Sequence, residues 1–199
     1  MGKDERAADS AACMPATVRR DGGGAREALV AAAVSEFAQK GFAGARVDAI
    51  ANQAGVNKQL VYHYFQSKQG LYQVALETVY AQIRERERQL SLDALDPVEA
   101  MGRLVGFSFD YLTDHPEFIA LLADENRHKG ATVKASPRLQ QMHSPLVDML
   151  RGTLRRGVRA GVFRRDYDAV NLYISVAAVS YFYFSNNHTL SAIFGRSLG

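Results

Sequence analysis

Gly55 separates two short apolar-periodic stretches, and this break constrains the fold more than any other residue in the chain. Ahead of it, Val47 to Ala54 carries Ile50 and Ala51; behind it, Asn57 to about Phe65 carries Val61 and Phe65 four residues apart. Glycine readily takes the left-handed conformation that ends one helix and turns tightly into the next. Two helices joined this way make a helix-turn-helix, in which one helix can lie in a DNA major groove while the other braces it.

The rest of the chain also reads as helix. Val30, Ala33, Val34 and Phe37 define a first helix from Ala25, stopped at Gly41 after Lys40. Asn57 is placed to cap the helix through Phe65, and Ser67 to cap a longer one with Leu71, Ala75, Val79 and Ile83 on one face. The run Arg84 to Arg88 reads as the solvated end of that helix. Asp96-Pro97-Val98-Glu99 combines a cap, a proline at the first position and a glutamate three residues after the cap, opening a helix to about Thr113. Pro116 opens the next, to about His128; residues 129–136 read as a loop, and Ser136-Pro137 starts a further helical piece that Pro145 interrupts. Leu146, Leu150, Leu154 and Val158 form a stripe ended by Gly161, after which Asp166 is read as the cap of a long apolar helix. No alternating strand pattern is present, so the expected fold class is all-α.

With 199 residues and 47% hydrophobic content, the chain can build a sizeable core in one or two units. A net charge of +3 leans weakly toward an anionic partner. Cys13 is the single cysteine, which excludes an internal disulfide and a cysteine metal cluster. Asp4, Glu5 and Asp9 interrupt any signal-like start, so a cytoplasmic protein is expected. The apolar run Leu172 to Phe184 falls short of the roughly 20 residues of a bilayer span. No membrane association is expected, and this helix is read as buried on most sides, as at a subunit interface. Residues 1–24 read as a flexible tail, with Arg19 and Arg20 either solvated or an arm that touches phosphates or the minor groove.

On the helix after Gly55, Val56, Val61 and Phe65 form the core side, and Lys58, Gln59, Tyr62 and His63 project away from it. Lysine and glutamine can reach base edges, whereas Tyr62, His63 and Lys68 suit phosphate oxygens; Leu60, between the faces, suits a thymine methyl. Each also has a plain alternative: Tyr62 packed between helices, His63 an inert surface histidine, Lys68 solvated. A lysine at a helix start opposes the macrodipole and needs a compensating partner, which a DNA phosphate would supply.

Gly55-Val56-Asn57-Lys58, Val61-Tyr62-His63-Tyr64-Phe65, Ser67-Lys68 and Leu71, together with Phe37, Gly41, Ile50, Ala51 and Ala54, closely resemble the DNA-binding signature of the TetR family of bacterial regulators. The resemblance is specific over residues 28–72. It implies a homodimer in which an N-terminal helix-turn-helix domain (25–71) holds double-stranded DNA and a helical C-terminal domain (72–199) serves dimerisation and an unknown small-molecule effector. By position, Arg46 and Val47 meet the DNA backbone, Lys58, Gln59 and Leu60 read bases, and Tyr62, His63 and Lys68 hold phosphates. Arg46 stands where the family has Thr or Ser, which removes a capping hydroxyl and offers a direct phosphate contact instead. In the family a last helix completes the dimer bundle, while here Leu190 to Phe194 begins a new helical pattern close to Gly199. His115 to Phe118, Gly161 to Arg164 and Tyr181 to Asn186 are similar to a pyrimidine-responsive subgroup, a likeness of architecture that transfers no ligand.

Phe107, Tyr111, Phe118, Leu121, Leu122, Met142, Met149, Tyr173 and Phe182 are candidates to line a cavity, with Glu125, Asn126, His128, His143, Asn186 and His188 as polar partners. For most, plain core is the competing reading. Glu125-Asn126-Arg127-His128 has the Glu-x-x-His spacing of di-metal bundles, but a second copy is missing. With no Ser-His-Asp order, glycine-rich phosphate loop or zinc cluster, no enzyme, cofactor or metal is expected. Two functions follow: a ligand-responsive DNA-binding regulator, most simply a repressor on a palindromic operator, or a helical small-molecule-binding or adaptor protein that has lost DNA binding.

Overall fold

The computed structural model describes residues 22–142 and 144–198. The readings placed on Cys13, Arg19, Arg20 and His143 therefore lie outside the described residues. Every element among the described residues is helical, as the missing strand pattern requires. The order is α1 (Gly22–Gly44), α2 (Val47–Gln53), α3 (Gln59–Phe65), α4 (Lys68–Gln89), a 3₁₀ turn (Leu92–Ala94), α5 (Pro97–Asp114), α6 (Pro116–Arg127), α7 (Ala131–Ala135), α8 (Pro137–Gln141), α9 (Ser144–Arg159), α10 (Ala169–Ser185) and α11 (Asn187–Phe194). None of these helices is long and apolar enough to cross a membrane.

Two apolar cores organise the helices. The first joins α1, α2, α3 and α4 to parts of α5, α6 and α8, with Leu29, Phe37, Ile50, Val61, Leu71, Leu76 and Leu121 fully buried. The second lies between the 3₁₀ turn, α5, α9 and α10, around Leu92, Leu104, Leu146, Leu150 and Leu154. The stripe Leu71, Ala75, Val79, Ile83 is buried along α4, so α4 runs through the first core from end to end.

Capping chemistry sets most boundaries. Ser67 Oγ accepts from Gly70 N at 3.0 Å, Asp96 Oδ1 from Val98 N at 2.9 Å, and Ser136 Oγ from Leu139 N at 3.2 Å. Pro145 lies in the first turn of α9, where its missing N–H has no helical partner to lose; the break falls before it, since α8 ends at Gln141.

Four expectations are corrected. First, α1 begins at Gly22, earlier than its apolar periodicity, and Gly41 (φ 65°, ψ 173°) breaks its last turns. Second, residues 131–135 are helix rather than loop. Glu125 on α6 accepts from Thr132 N at 2.7 Å and Val133 N at 3.0 Å, so a distant carboxylate caps α7, and no local spacing announces that. Third, α10 is capped by Asp168, not Asp166: Asp168 Oδ1 accepts from Asn171 N at 2.8 Å, and Ala169 seats in the second core. Fourth, the charge run at the end of α4 is not wholly solvated. Glu85, Arg86 and Arg88 are exposed, but Arg84 and Glu87 are 7% and 3% exposed, because they continue the buried Leu76–Tyr80 side of the helix.

Candidate functional site

The turn at Gly55 is built as its sequence requires. Gly55 has φ 66°; its N–H donates to the Asn52 carbonyl at 3.1 Å and Val56 N–H reaches back to Ala51 at 3.0 Å, closing α2. Asn57 Oδ1 then accepts from Gln59 N at 2.8 Å and starts α3. Val61 and Phe65 bury one side of α3 in the first core, leaving Lys58, Gln59, Tyr62 and His63 exposed on the other. Tyr62 is 47% exposed, so it is not packed between helices. Leu60 and Val47 are half-buried and pack on the core, which leaves each only one edge for a partner.

The cations around α3 are held from within the chain. Lys58 Nζ lies 2.8 Å from Asp48 Oδ1, bridging the start of α3 to the first turn of α2, and the hydrogen bond to Asp48 raises the lysine above its ordinary range. Lys68 Nζ lies 3.4 Å from the Ala43 carbonyl and 4.9 Å from the centre of the Phe42 ring. The partner that a lysine at the start of α4 needs is thus the C-terminal end of α1, already present without DNA. Arg46 is exposed, and its extended backbone places it at the N-cap of α2 without any side-chain cap bond. His63 stands 5.0 Å, ring centre to ring centre, from Tyr64.

Two carboxylates missed in the sequence fix this face. Glu36 on α1 is buried, accepts from Lys40 Nζ at 2.9 Å and from Arg46 N at 3.1 Å, and so locks the entry to α2. The Lys40 hydrogen bond holds its carboxyl below the ordinary range against the opposing effect of burial. Asp124 on α6 accepts from Phe42 N at 2.9 Å, from the Tyr72 hydroxyl at 3.0 Å and from Arg127 Nη2 at 2.7 Å. Burial would raise its pKa; these donors together lower it. Asp124 ties α6 to the end of α1 and to α4. The signal in the sequence was weak: an acid on the apolar side of a helix, three residues from an arginine.

The candidate cavity residues divide among a buried ring cluster, a small cavity and exposed positions. Tyr111 and Phe118 are buried in a cluster of rings, Tyr111 stacked on His115 at 3.9 Å and Phe118 edge-on to Tyr80 at 5.4 Å; Phe107 lies against Tyr111 at 5.6 Å. Glu125 caps α7 through Oε1 while its buried Oε2 has no hydrogen-bond partner among the described residues, and exposed His128 turns its Nδ1 to the Asp124 carbonyl at 2.8 Å, so the Glu-x-x-His pair does not converge. Exposed Asn126 donates to the Leu122 carbonyl at 2.9 Å, and Asn186 donates to that of Phe182 at 3.0 Å. Phe182 is 60% exposed on the outside of α10. Met142 and Met149 line a small cavity beside Arg84 and Glu87, and the Tyr173 hydroxyl accepts from Arg84 Nη2 at 3.2 Å.

Residues 29–75 match the family model described as bacterial regulatory proteins, tetR family, and residues 97–199 match the tetracyclin repressor-like C-terminal domain. The chain is 38% identical over 173 residues to the HTH-type transcriptional repressor NicS of Pseudomonas putida, covering 87% of this chain and 82% of that protein. A transcriptional regulator from Streptomyces coelicolor superposes with a TM-score of 0.62 at 29% identity, over 84% of each chain. FadR from Bacillus subtilis, solved with stearoyl-CoA, shares the fold with a TM-score of 0.64 at 18% identity, over 85% of this chain and 88% of that one. With both halves matched in order and a relative similar over most of its length, the chain belongs to the TetR family of bacterial transcriptional regulators.

Proposed function

We propose that this regulator is a repressor that binds a palindromic operator as a homodimer and leaves it when a small molecule binds the C-terminal helices. In this reading residues 25–71 serve DNA, residues 72–199 serve effector and dimer, and the protein works in the cytoplasm without a catalytic step. The observation that carries it is the outward side of α3, where Lys58, Gln59, Tyr62 and His63 are exposed on a helix that Val61 and Phe65 hold in place. Lys58 and Gln59 then read bases with Leu60 at their edge, and Arg46, Val47, Tyr62, His63 and Lys68 hold the backbone. The similarity to NicS, named as a repressor, supports the sign of the regulation.

Dimerisation is supported by the outer sides of α10 and α11. Ile174, Val179, Phe182, Ile193 and Phe194 are each 55–69% exposed in the single chain, an apolar concentration that a partner would cover. Phe182 is accordingly assigned to that interface rather than to an effector pocket.

Fluorescence anisotropy with the duplex upstream of the protein's own gene tests this reading. Binding should weaken steeply with salt, and Tyr62→Ala with Lys68→Ala should weaken it at least about tenfold, or roughly 1.4 kcal/mol. A wild-type protein that ignores the duplex at low salt, or a double variant that binds as well as wild type, would favour an adaptor that has lost DNA binding.

A further inference from the structure

Arg84 and Glu87 are an ion pair that the protein buries without completing. Their side chains are 8% and 5% exposed, with Arg84 Nη1 3.0 Å from Glu87 Oε2. Among the described residues Arg84 Nε has no hydrogen-bond partner, and Arg84 Nη1 and Glu87 Oε2 face each other as an ion pair without either making a hydrogen bond. Nη2 of the guanidinium donates to the Tyr173 hydroxyl at 3.2 Å. Buried polar atoms are nearly always satisfied, and half-satisfied charges are costly, so a buried pair whose Nε and carboxylate positions are left unfilled calls for an explanation. Both residues line a cavity of about 270 Å³ between α4, α8 and α9, whose apolar walls are Met142, Pro145, Leu146 and Met149. Arg88 and Arg138 also line it, each paired with a carboxylate, Glu85 and Glu77. A wider, more open groove of about 800 Å³ between α1, α4 and α6 contains none of the unpartnered atoms.

We infer that this cavity takes the effector, and that the effector is a small organic acid whose carboxylate meets Arg84 and whose own hydrogen-bond donor meets Glu87, with its apolar body against Met142 and Met149. The inference rests on the ligand-responsive reading above and names the chemistry of its ligand. Each part matches a particular wall. The free guanidinium N–H groups need an acceptor, best an anionic one. Glu87 Oε2, which faces Arg84 Nη1 without a hydrogen bond, can accept from a donor, and methionines adapt to an apolar body. The volume sits at the small end of ligand pockets and leaves no room for a long acyl chain. The site lies on the far half of α4, the helix whose start packs on α3. Glu87 is pushed up to about 7 by burial against the lowering effect of Arg84, consistent with a carboxyl that lacks its full set of donors.

Isothermal titration calorimetry of the full chain without DNA tests the site separately from the repressor reading, with para-hydroxybenzoate, benzoate and short aliphatic monocarboxylates as probes and para-hydroxybenzamide as the neutral control. At least one acid should bind, and para-hydroxybenzoate should bind about tenfold or more tighter than the amide. Arg84→Met should remove that preference, and Glu87→Gln should weaken para-hydroxybenzoate more than benzoate, which has no donor to offer. Should Arg84→Met fail to fold by circular dichroism, Met149→Trp fills the cavity while leaving both charges in place, and it should abolish binding. No binding by any acid at millimolar concentration, equal binding of acid and amide, or full binding by Met149→Trp would overturn the inference, whether or not the protein binds its operator.

Discussion

At the start of α4, a Cβ on Gly70 would stand 2.2 Å from the Phe65 carbonyl oxygen, a backbone atom that cannot swing aside. Gly70→Ala should therefore destabilise the protein by about 1–3 kcal/mol in urea unfolding, the range of an overpacked site. The same logic of fixed partners applies to Asp124. Asp124→Asn keeps the shape but loses charge-assisted acceptance from Phe42 N, Tyr72 and Arg127, an expected loss of about 1–3 kcal/mol. Because its pKa is lowered in the folded state, its contribution is present above the unfolded value of 3.8 and is lost as pH falls through the folded value. Glu87 behaves oppositely. Raised from 4.5 to about 7, it binds its proton more tightly folded than unfolded, so stability falls as pH climbs between those two values. Against wild type, Glu87→Gln should gain stability over that window, on the order of 2–3 kcal/mol by chemical denaturation, and an unchanged difference across it would contradict the burial argument.

At the scale of elements, Lys58 on the first turn of α3 is tied to Asp48 on the first turn of α2. Both groups are exposed, so exchanging Asp48 for a phosphate or base edge costs little. Asp48→Asn should tighten binding to any duplex and steepen its salt dependence; an unchanged slope in a salt titration would mean that Lys58 stays off the DNA. The turn at Gly55, the caps at Ser67 and Asp96, the helix start at Ser136-Pro137, and the buried stripe of α4 were all legible, because each is a local matter of spacing and side-chain chemistry. The helix α7 was not, since its cap is the carboxylate of Glu125 in α6. Arg84 and Glu87 were hidden for a related reason: in an alternating charge run only the register of the helix against its neighbours decides which charges go inside. Counting on from Leu76 and Tyr80 would have reached them. Lys68 is a similar case, since a compensating partner for it also lies within the chain, at the end of α1.

For the whole molecule, α3 is carried on the first core, while α10 touches both, Tyr181 and Phe184 packing on the first and Leu172 and Tyr173 on the second. The periodicity of α10 announced an apolar helix; which of its sides stays uncovered depends on α5 and α9 taking the other, so Phe182 could be placed only with the fold in hand. Phe182→Glu with Ile193→Glu should shift the protein to monomer in sedimentation, leave its helical content unchanged, and weaken operator binding because one α3 alone reaches half a site. Hydroxyl-radical footprinting of the DNA upstream of the gene, read on both strands, tests the account most directly. A dimer presenting two α3 helices should protect two patches related by a dyad, about one helical turn of roughly 10 base pairs apart or somewhat more. A single unpaired patch, or uniform weak protection that moves with the ends of the fragment, would contradict it.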